Sequence, residues 1–259
     1  MGTPARQRIA RFAQGGRVFY ALLEGDDGAR EVPGDPFRGL GEPGPLRSTV
    51  GLRWLTPCVP SKIVGVGRNY RAHIAELRHE APAEPLLFLK PPSALLPPDG
   101  TIRLPERSRR VDYEGELGVV IARRARRVSE ARALDYALGY TCVNDVTARD
   151  LQEVDVQFTR PKGFDTFCPF GPCIVTRLDP AGLVVETFVN GERRQSSPTD
   201  RMIFSVARLI SFVSEVMTLE PGDLIATGTP EGVGPLRHGD EVAVSIEGIG
   251  RLSNRVESS

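Results

Sequence analysis

One stretch narrows the folds open to this chain more than any other: Val111-Asp112-Tyr113-Glu114-Gly115-Glu116-Leu117-Gly118-Val119-Val120-Ile121. Side chains alternate along a strand, so Val111, Tyr113, Leu117, Val119 and Ile121 share one face and Asp112, Glu114 and Glu116 the other. Acids two apart on a strand stand about 7 Å from one another and repel. Desolvating them costs several kcal/mol unless they are paired or hold a cation. The stretch therefore has two readings: a solvated edge face, or acids gathered around a metal ion.

The rest of the chain is punctuated for short strands. Ile9 to Val32 reads as strands with a turn at Gly25-Asp26-Asp27-Gly28, and Pro33 to Pro45 is a Pro/Gly-rich loop. A boundary near Trp54 to Pro57 makes residues 1–57 a small β-rich N-terminal domain and 58–259 a second, larger domain. Ile63 to Gly67, Leu86 to Leu89, Tyr140 to Val146, Leu183 to Val189, Leu224 to Thr227 and Glu241 to Ile246 read as strands, and Asn190-Gly191 signals a type I′ hairpin. A helical turn runs to Arg78. Ser129 caps a helix to Leu138 that Gly139 stops. Ser205 to Met217 is an amphipathic helix with Leu209, Phe212, Val213 and Val216 on one stripe. The pattern predicts an α+β, mostly β fold without the βαβ alternation of a doubly wound sheet.

Composition removes several function classes. Lys+Arg and Asp+Glu both total 33, so no net basic field points to nucleic acid. The Arg107 to Arg110 and Arg123 to Arg127 clusters lack interleaved aromatics and read as solvated turns. No segment approaches the ~18 apolar residues of a membrane span, the start lacks an apolar run, and a cytoplasmic location is expected. Cys58, Cys142, Cys168 and Cys173 form no Cys-x-x-Cys pair and read as reduced, packed thiols. Lysine is confined to Lys62, Lys90 and Lys162. Where a compact ammonium is needed arginine cannot replace it, so each lysine is a candidate site residue.

The motifs each carry an ordinary reading beside a chemical one. Gly65-Val66-Gly67-Arg68-Asn69-Tyr70 lacks the third glycine of a dinucleotide fingerprint. Thr227-Gly228-Thr229-Pro230-Glu231-Gly232-Val233-Gly234 is a turn, or a nest of backbone N–H groups and hydroxyls that holds a carboxylate. His73 and Glu76 share a helix face, as a surface ion pair or as a carboxylate orienting an imidazole base. Asp145 at a strand end forms an Asx turn or N-cap, or joins Glu114 and Glu116 in an all-oxygen set suited to Mg²⁺ or Mn²⁺. Such a metal can chelate a 2-oxo acid and stabilise its enolate.

Taken in order, Gly67-Arg68-Asn69-Tyr70 with His73 and Glu76, Phe88-Leu89-Lys90-Pro91, Asp112-Tyr113-Glu114-Gly115-Glu116, Asn144-Asp145 through Gln152, Lys162-Gly163-Phe164-Asp165 and Thr227-Gly228-Thr229-Pro230 resemble the fumarylacetoacetate hydrolase family. The resemblance covers residues 58 to 256. It implies a mixed β-roll, usually a homodimer, with Glu114, Glu116 and Asp145 ligating Mg²⁺ or Mn²⁺. It implies that Lys162 pairs with the substrate's oxo or enolate oxygen, that Arg68, Lys90 and Gln152 line the pocket, and that Thr229 holds a carboxylate. His73 and Glu76 would lie on a lid.

The family's activities branch into C–C hydrolysis, decarboxylation and isomerisation of 2-oxo, 2,4-diketo or 2-hydroxydienoic acids in aromatic or keto-acid breakdown. The His73/Glu76 pair is similar to that of hydrolases and decarboxylases, while the Lys162 to Pro169 run resembles dienedioate isomerases. A reading from another class is a non-catalytic carboxylate-binding protein with a structural cation. Lys162, His73 and Glu76 speak against it, since a structural cation has no use for them.

Overall fold

Short strands separated by glycine and proline turns can bury their apolar faces only by joining large sheets, and that is the architecture of the computed structural model, which describes residues 6–25, 27–76 and 80–259. A 12-stranded sheet runs, in spatial order, through Leu46–Ser48, Gly28–Val32, Arg17–Glu24, Arg8–Gln14, Cys168–Val175, Ala137–Asn144, Gly115–Ile121, Leu224–Ala226, Ile63–Gly67 and Leu86–Lys90, with two short strands off that path. A 5-stranded sheet of Thr101–Leu104, Gly250–Ser258, Glu241–Ile246, Val184–Val189 and Glu192–Pro198 accompanies it. Among the described residues only one α-helix, Val206–Val216, exceeds two turns.

The acidic stretch is central, but it is not one continuous strand. Val111–Tyr113 pairs in a small sheet with Thr147–Ala148 and Gly234–Pro235, and Gly115–Ile121 pairs in the large one. Glu114 lies at the crossing, its N–H donating to Asn144 Oδ1 at 2.9 Å. Gly115 permits the crossing: a Cβ there would stand 2.1 Å from the Thr187 hydroxyl. The solvated-edge reading is overturned, since Asp112, Glu114 and Glu116 are all buried.

Two expectations need correction. Residues after Ser129 form only a 3-10 turn, Glu130–Tyr136, without a side-chain cap, and the strand Ala137–Asn144 has already begun at Leu138. Gly139 does not stop a helix. It lies opposite Val120 in the ladder, where a Cβ would come within 2.3 Å of the Val175 carbonyl oxygen. Strand pairing has overridden local helix preference. In Val206–Val216, Ser205 caps as expected by accepting the Arg208 N–H, but the buried arc is Val206, Leu209, Ile210 and Val213. Val216, the last helical residue, is 60% exposed and lies outside that arc.

The N-terminal segment up to residue 57 shares both sheet and core with the remainder of the chain. Arg8–Gln14 pairs antiparallel with Cys168–Val175, and Ala10, Phe12, Ala21 and Ala29 belong to the cluster that contains Val64, Leu117 and Cys142. Trp54 packs on Phe12 with centroids 4.5 Å apart. The Gly25–Gly28 turn includes Asp26, outside the described residues, as is the end of the helical turn expected to reach Arg78. Asn190 and Gly191 have φ of 52° and 80°, the type I′ geometry. All four cysteines are buried free thiols, and the two arginine clusters are exposed. Among the described residues no helix is long and apolar enough to cross a membrane.

Candidate active site

Glu114 at the strand crossing, Glu116 on the central strand and Asp145 just past the end of Ala137–Asn144 meet because those two strands are neighbours in register, Gly115 facing Asn144 and Glu116 facing Val143. One carboxylate oxygen from each lies within 4.8 Å of the others. The backbone is tied where the acids emerge, with Asp145 N–H donating to the Glu114 carbonyl at 2.8 Å.

Around the triad the countercharges are unequally shared. The Lys162 ammonium donates to Glu114 at 2.8 Å and to Asp145 at 2.6 Å. Lys90 donates to the other oxygen of Asp145 at 2.6 Å, and the Arg149 guanidinium reaches the other oxygen of Glu114. Glu116 has no cationic partner and accepts only the Gly228 N–H, at 2.8 Å, among the described residues. Burial opposes ionisation of Glu114, yet the Lys162 and Arg149 charges override it and hold that carboxyl well below the usual range. Burial, reinforced by the Asp145 and Glu114 charges, pushes the Glu116 carboxyl well above it. Burial disfavours the Lys162 ammonium, but Asp145 and Glu114 more than offset it and raise its pKa. A hard divalent cation fits this donor set. All three acids offer carboxylate oxygens, and the one that lacks a countercharge is the one whose ionisation a cation would restore.

The triad forms the floor of a cavity of about 640 Å³. Arg68, His73, Gln152, Lys162 and Thr229 line it together with the three acids. His73 Nδ1 lies 3.2 Å from Glu76 Oε2, so the pair expected from the i, i+3 spacing forms. The Gly-rich loop does hold carboxylates, but the chain's own: Gly228 N–H binds Glu116, and Gly232 N–H binds Glu76 at 3.1 Å. The Thr229 hydroxyl donates to the Gly115 carbonyl at 3.0 Å and accepts from Gln195 at 2.8 Å. Lys90 sits behind the site rather than in its lining, fully buried between Asp145 and the Val146 carbonyl. Lys62 lies away from the cavity, on the buried Asp223 carboxylate.

Sequence reasoning missed Arg149. It is buried, donates to Asp112 at 2.9 Å and to Glu114, and also reaches Gln152. The signal was present: Arg149 and Gln152 are three apart on the short helix Arg149–Val154, hence on one face, and the acidic strand had more carboxylates than a single metal uses. Asp112 is not part of the triad. Arg110 and Arg149 hold it, at 3.0 and 2.9 Å.

Residues 62–257 match the family described as fumarylacetoacetate (FAA) hydrolase C-terminal, and residues 7–57 match one described as Rv2993c-like, N-terminal. The chain therefore belongs to the fumarylacetoacetate hydrolase family and is one of its enzymes, which sets aside the non-catalytic reading. It is 47% identical over 258 residues to protein Rv2993c of Mycobacterium tuberculosis, covering 96% of this chain and 97% of that one. To the oxaloacetate tautomerase YisK of Bacillus subtilis it is 46% identical over 211 residues, 75% of this chain and 70% of that one. The crystal structure of a 2-hydroxyhepta-2,4-diene-1,7-dioate isomerase from Mycobacterium marinum superposes with a TM-score of 0.90 at 45% identity, covering 98% and 99% of the two chains.

Proposed function

We propose that this enzyme requires a divalent metal and isomerises or cleaves 2-oxo, 2,4-diketo or 2-hydroxydienoic acids by way of their enol forms. The observation that carries the reading is the meeting of Glu114, Glu116 and Asp145 within 4.8 Å in a cavity that also receives Lys162 and His73. These acids would hold Mg²⁺ or Mn²⁺, which when bound polarises the 2-oxo group as a Lewis acid.

Lys162 keeps a fixed positive charge beside two of the acids, where it can stabilise negative charge developing on the oxo oxygen. His73, its Nδ1 directed to Glu76, keeps Nε2 as the nitrogen that moves a proton on the acid's carbon or activates a water. Gln152, held by Arg149, orients the substrate. Thr229, braced by Gln195, presents the loop that meets the substrate carboxylate. Lys90 acts through Asp145, fixing that ligand rather than touching substrate.

Relatives named for tautomerisation and isomerisation of such acids support keto–enol chemistry, and the His73–Glu76 pair supports cleavage by the same site. Free buried thiols are consistent with a cytoplasmic enzyme, and the family resemblance with a homodimer. The test is ultraviolet-monitored turnover of oxaloacetate, acylpyruvates and 2-hydroxymuconate analogues by metal-stripped protein, with and without Mg²⁺ or Mn²⁺. Turnover that appears only with metal is expected. Activity that is indifferent to metal, or none on any of these acids, overturns the reading.

A further inference from the structure

The cations of the cavity differ in what they are bound to. Lys162 and Arg149 each carry two carboxylates. Arg68 lines the same cavity, half-buried, and its guanidinium makes no hydrogen bond or ion pair among the described residues. Its position is imposed, since Arg68 has a φ of 58°, a left-handed conformation that arginine rarely adopts. The neighbouring Asn69 holds it there. That side chain donates to the Thr227 and Phe204 carbonyls at 2.7 and 3.1 Å and accepts the Phe204 N–H at 2.8 Å. A backbone fixed this firmly around an unpaired guanidinium is a prepared anion site, and the planar fork of arginine matches a carboxylate.

We propose that Arg68 anchors the second carboxylate of a dicarboxylic oxo acid, and so makes this enzyme selective for dicarboxylates over monocarboxylates of the same length. The inference rests on the oxo-acid reading above: the triad and Lys162 take the 2-oxo end, leaving Arg68 as the lining cation with no acid of its own. Of the remaining acids in the lining, Asp155 is paired with Arg160 and Glu153 is exposed, and neither forms an ion pair with Arg68. The apolar side chains Leu86 and Phe88 line the same cavity and suit the carbon chain between two carboxylates.

The test is calorimetric binding of 2-oxoglutarate and 2-oxopentanoate, five-carbon oxo acids that differ at the far end, to Mg²⁺-loaded wild type, Arg68→Gln and Arg68→Lys. Wild type is expected to prefer 2-oxoglutarate by about tenfold or more, the scale of one charge-assisted contact. Arg68→Gln should abolish the preference while leaving 2-oxopentanoate affinity within about twofold, and Arg68→Lys should keep part of it. Equal weakening of both ligands by Arg68→Gln would place Arg68 at the first carboxylate and overturn the proposal. A wild type without preference, or a preference that survives Arg68→Gln, also overturns it while leaving the oxo-acid reading intact. If wild type binds the metal but neither acid, the oxo-acid reading itself fails and the anchor with it.

Discussion

Glu116 is the residue on which the site's electrostatics turn. Its neighbours among the acids each have two cations, whereas it has one backbone N–H, and burial with Asp145 and Glu114 beside it keeps its proton on to higher pH than usual. Replacing it by the uncharged isostere removes a cost rather than a contact. Glu116→Gln is therefore expected to be as stable as the metal-free wild type, or more stable by up to about 2 kcal/mol, and to lose metal-dependent stabilisation and turnover. A large drop in metal-free stability on thermal melting would contradict the assignment. The sign of the pH dependence comes from the same shift. A raised carboxyl pKa means that metal uptake displaces a proton, so affinity weakens as pH falls. Calorimetry in buffers of different ionisation enthalpy should show proton release in wild type that Glu116→Gln lacks. For His73→Ala, cleavage that needs an activated water should fall by about 10²–10⁴-fold, more than enolisation does; equal losses on matched substrates would argue against a water-activating pair.

At the scale of elements, the paired strands Ile63–Gly67 and Leu86–Lys90 set the cavity wall. Gly65 faces Phe88 in the ladder, and a Cβ on Gly65 would stand 2.2 Å from the Phe88 ring. That ring lies 5.0 Å from the Lys162 ammonium and packs edge-on to Phe158 at 5.8 Å. Gly65→Ala must push the ring from its place, an overpacking cost of about 1–3 kcal/mol, and should lower turnover beyond what the stability loss explains. Thermal melts and kcat on the same preparation separate the two effects. The Asn69 hydrogen bonds and the Gly-rich loop join this strand pair to the acidic triad.

At the scale of the whole molecule, the N-terminal 57 residues close one side of the large sheet. Without them Ile174 and Val175 would lose their ladder partners, and the core residues that share a cluster with Ala10, Phe12, Ala21 and Ala29, among them Val64, Leu117 and Cys142, would lose their cover. A chain beginning at residue 58 is expected to melt well below the full-length protein and to bind a hydrophobic dye. An unchanged melting temperature would show that the segment folds apart from the rest.

Much of this was legible in the residues alone. The short-strand pattern announced a β-rich fold, Asn190-Gly191 its hairpin, and the acid spacing with Asp145 named a triad, because alternation and turn chemistry are local properties of the chain. The scarcity of lysine also drew attention to Lys90 and Lys162, although the same argument drew it to Lys62, which lies on Asp223 and Ser61 away from the cavity. What sequence could not supply was pairing. The break at Glu114, the role of Gly139 as a gap filled by the Val175 carbonyl, and the separation of Asp112 from the other acids depend on which strands lie side by side. Whether Lys90 faces the substrate or stands behind Asp145, and which buried arginine balances Glu114, are likewise questions of distance between residues far apart in the chain. Local preference chose the residue types, and the packing of strands around the acids chose what each of them touches.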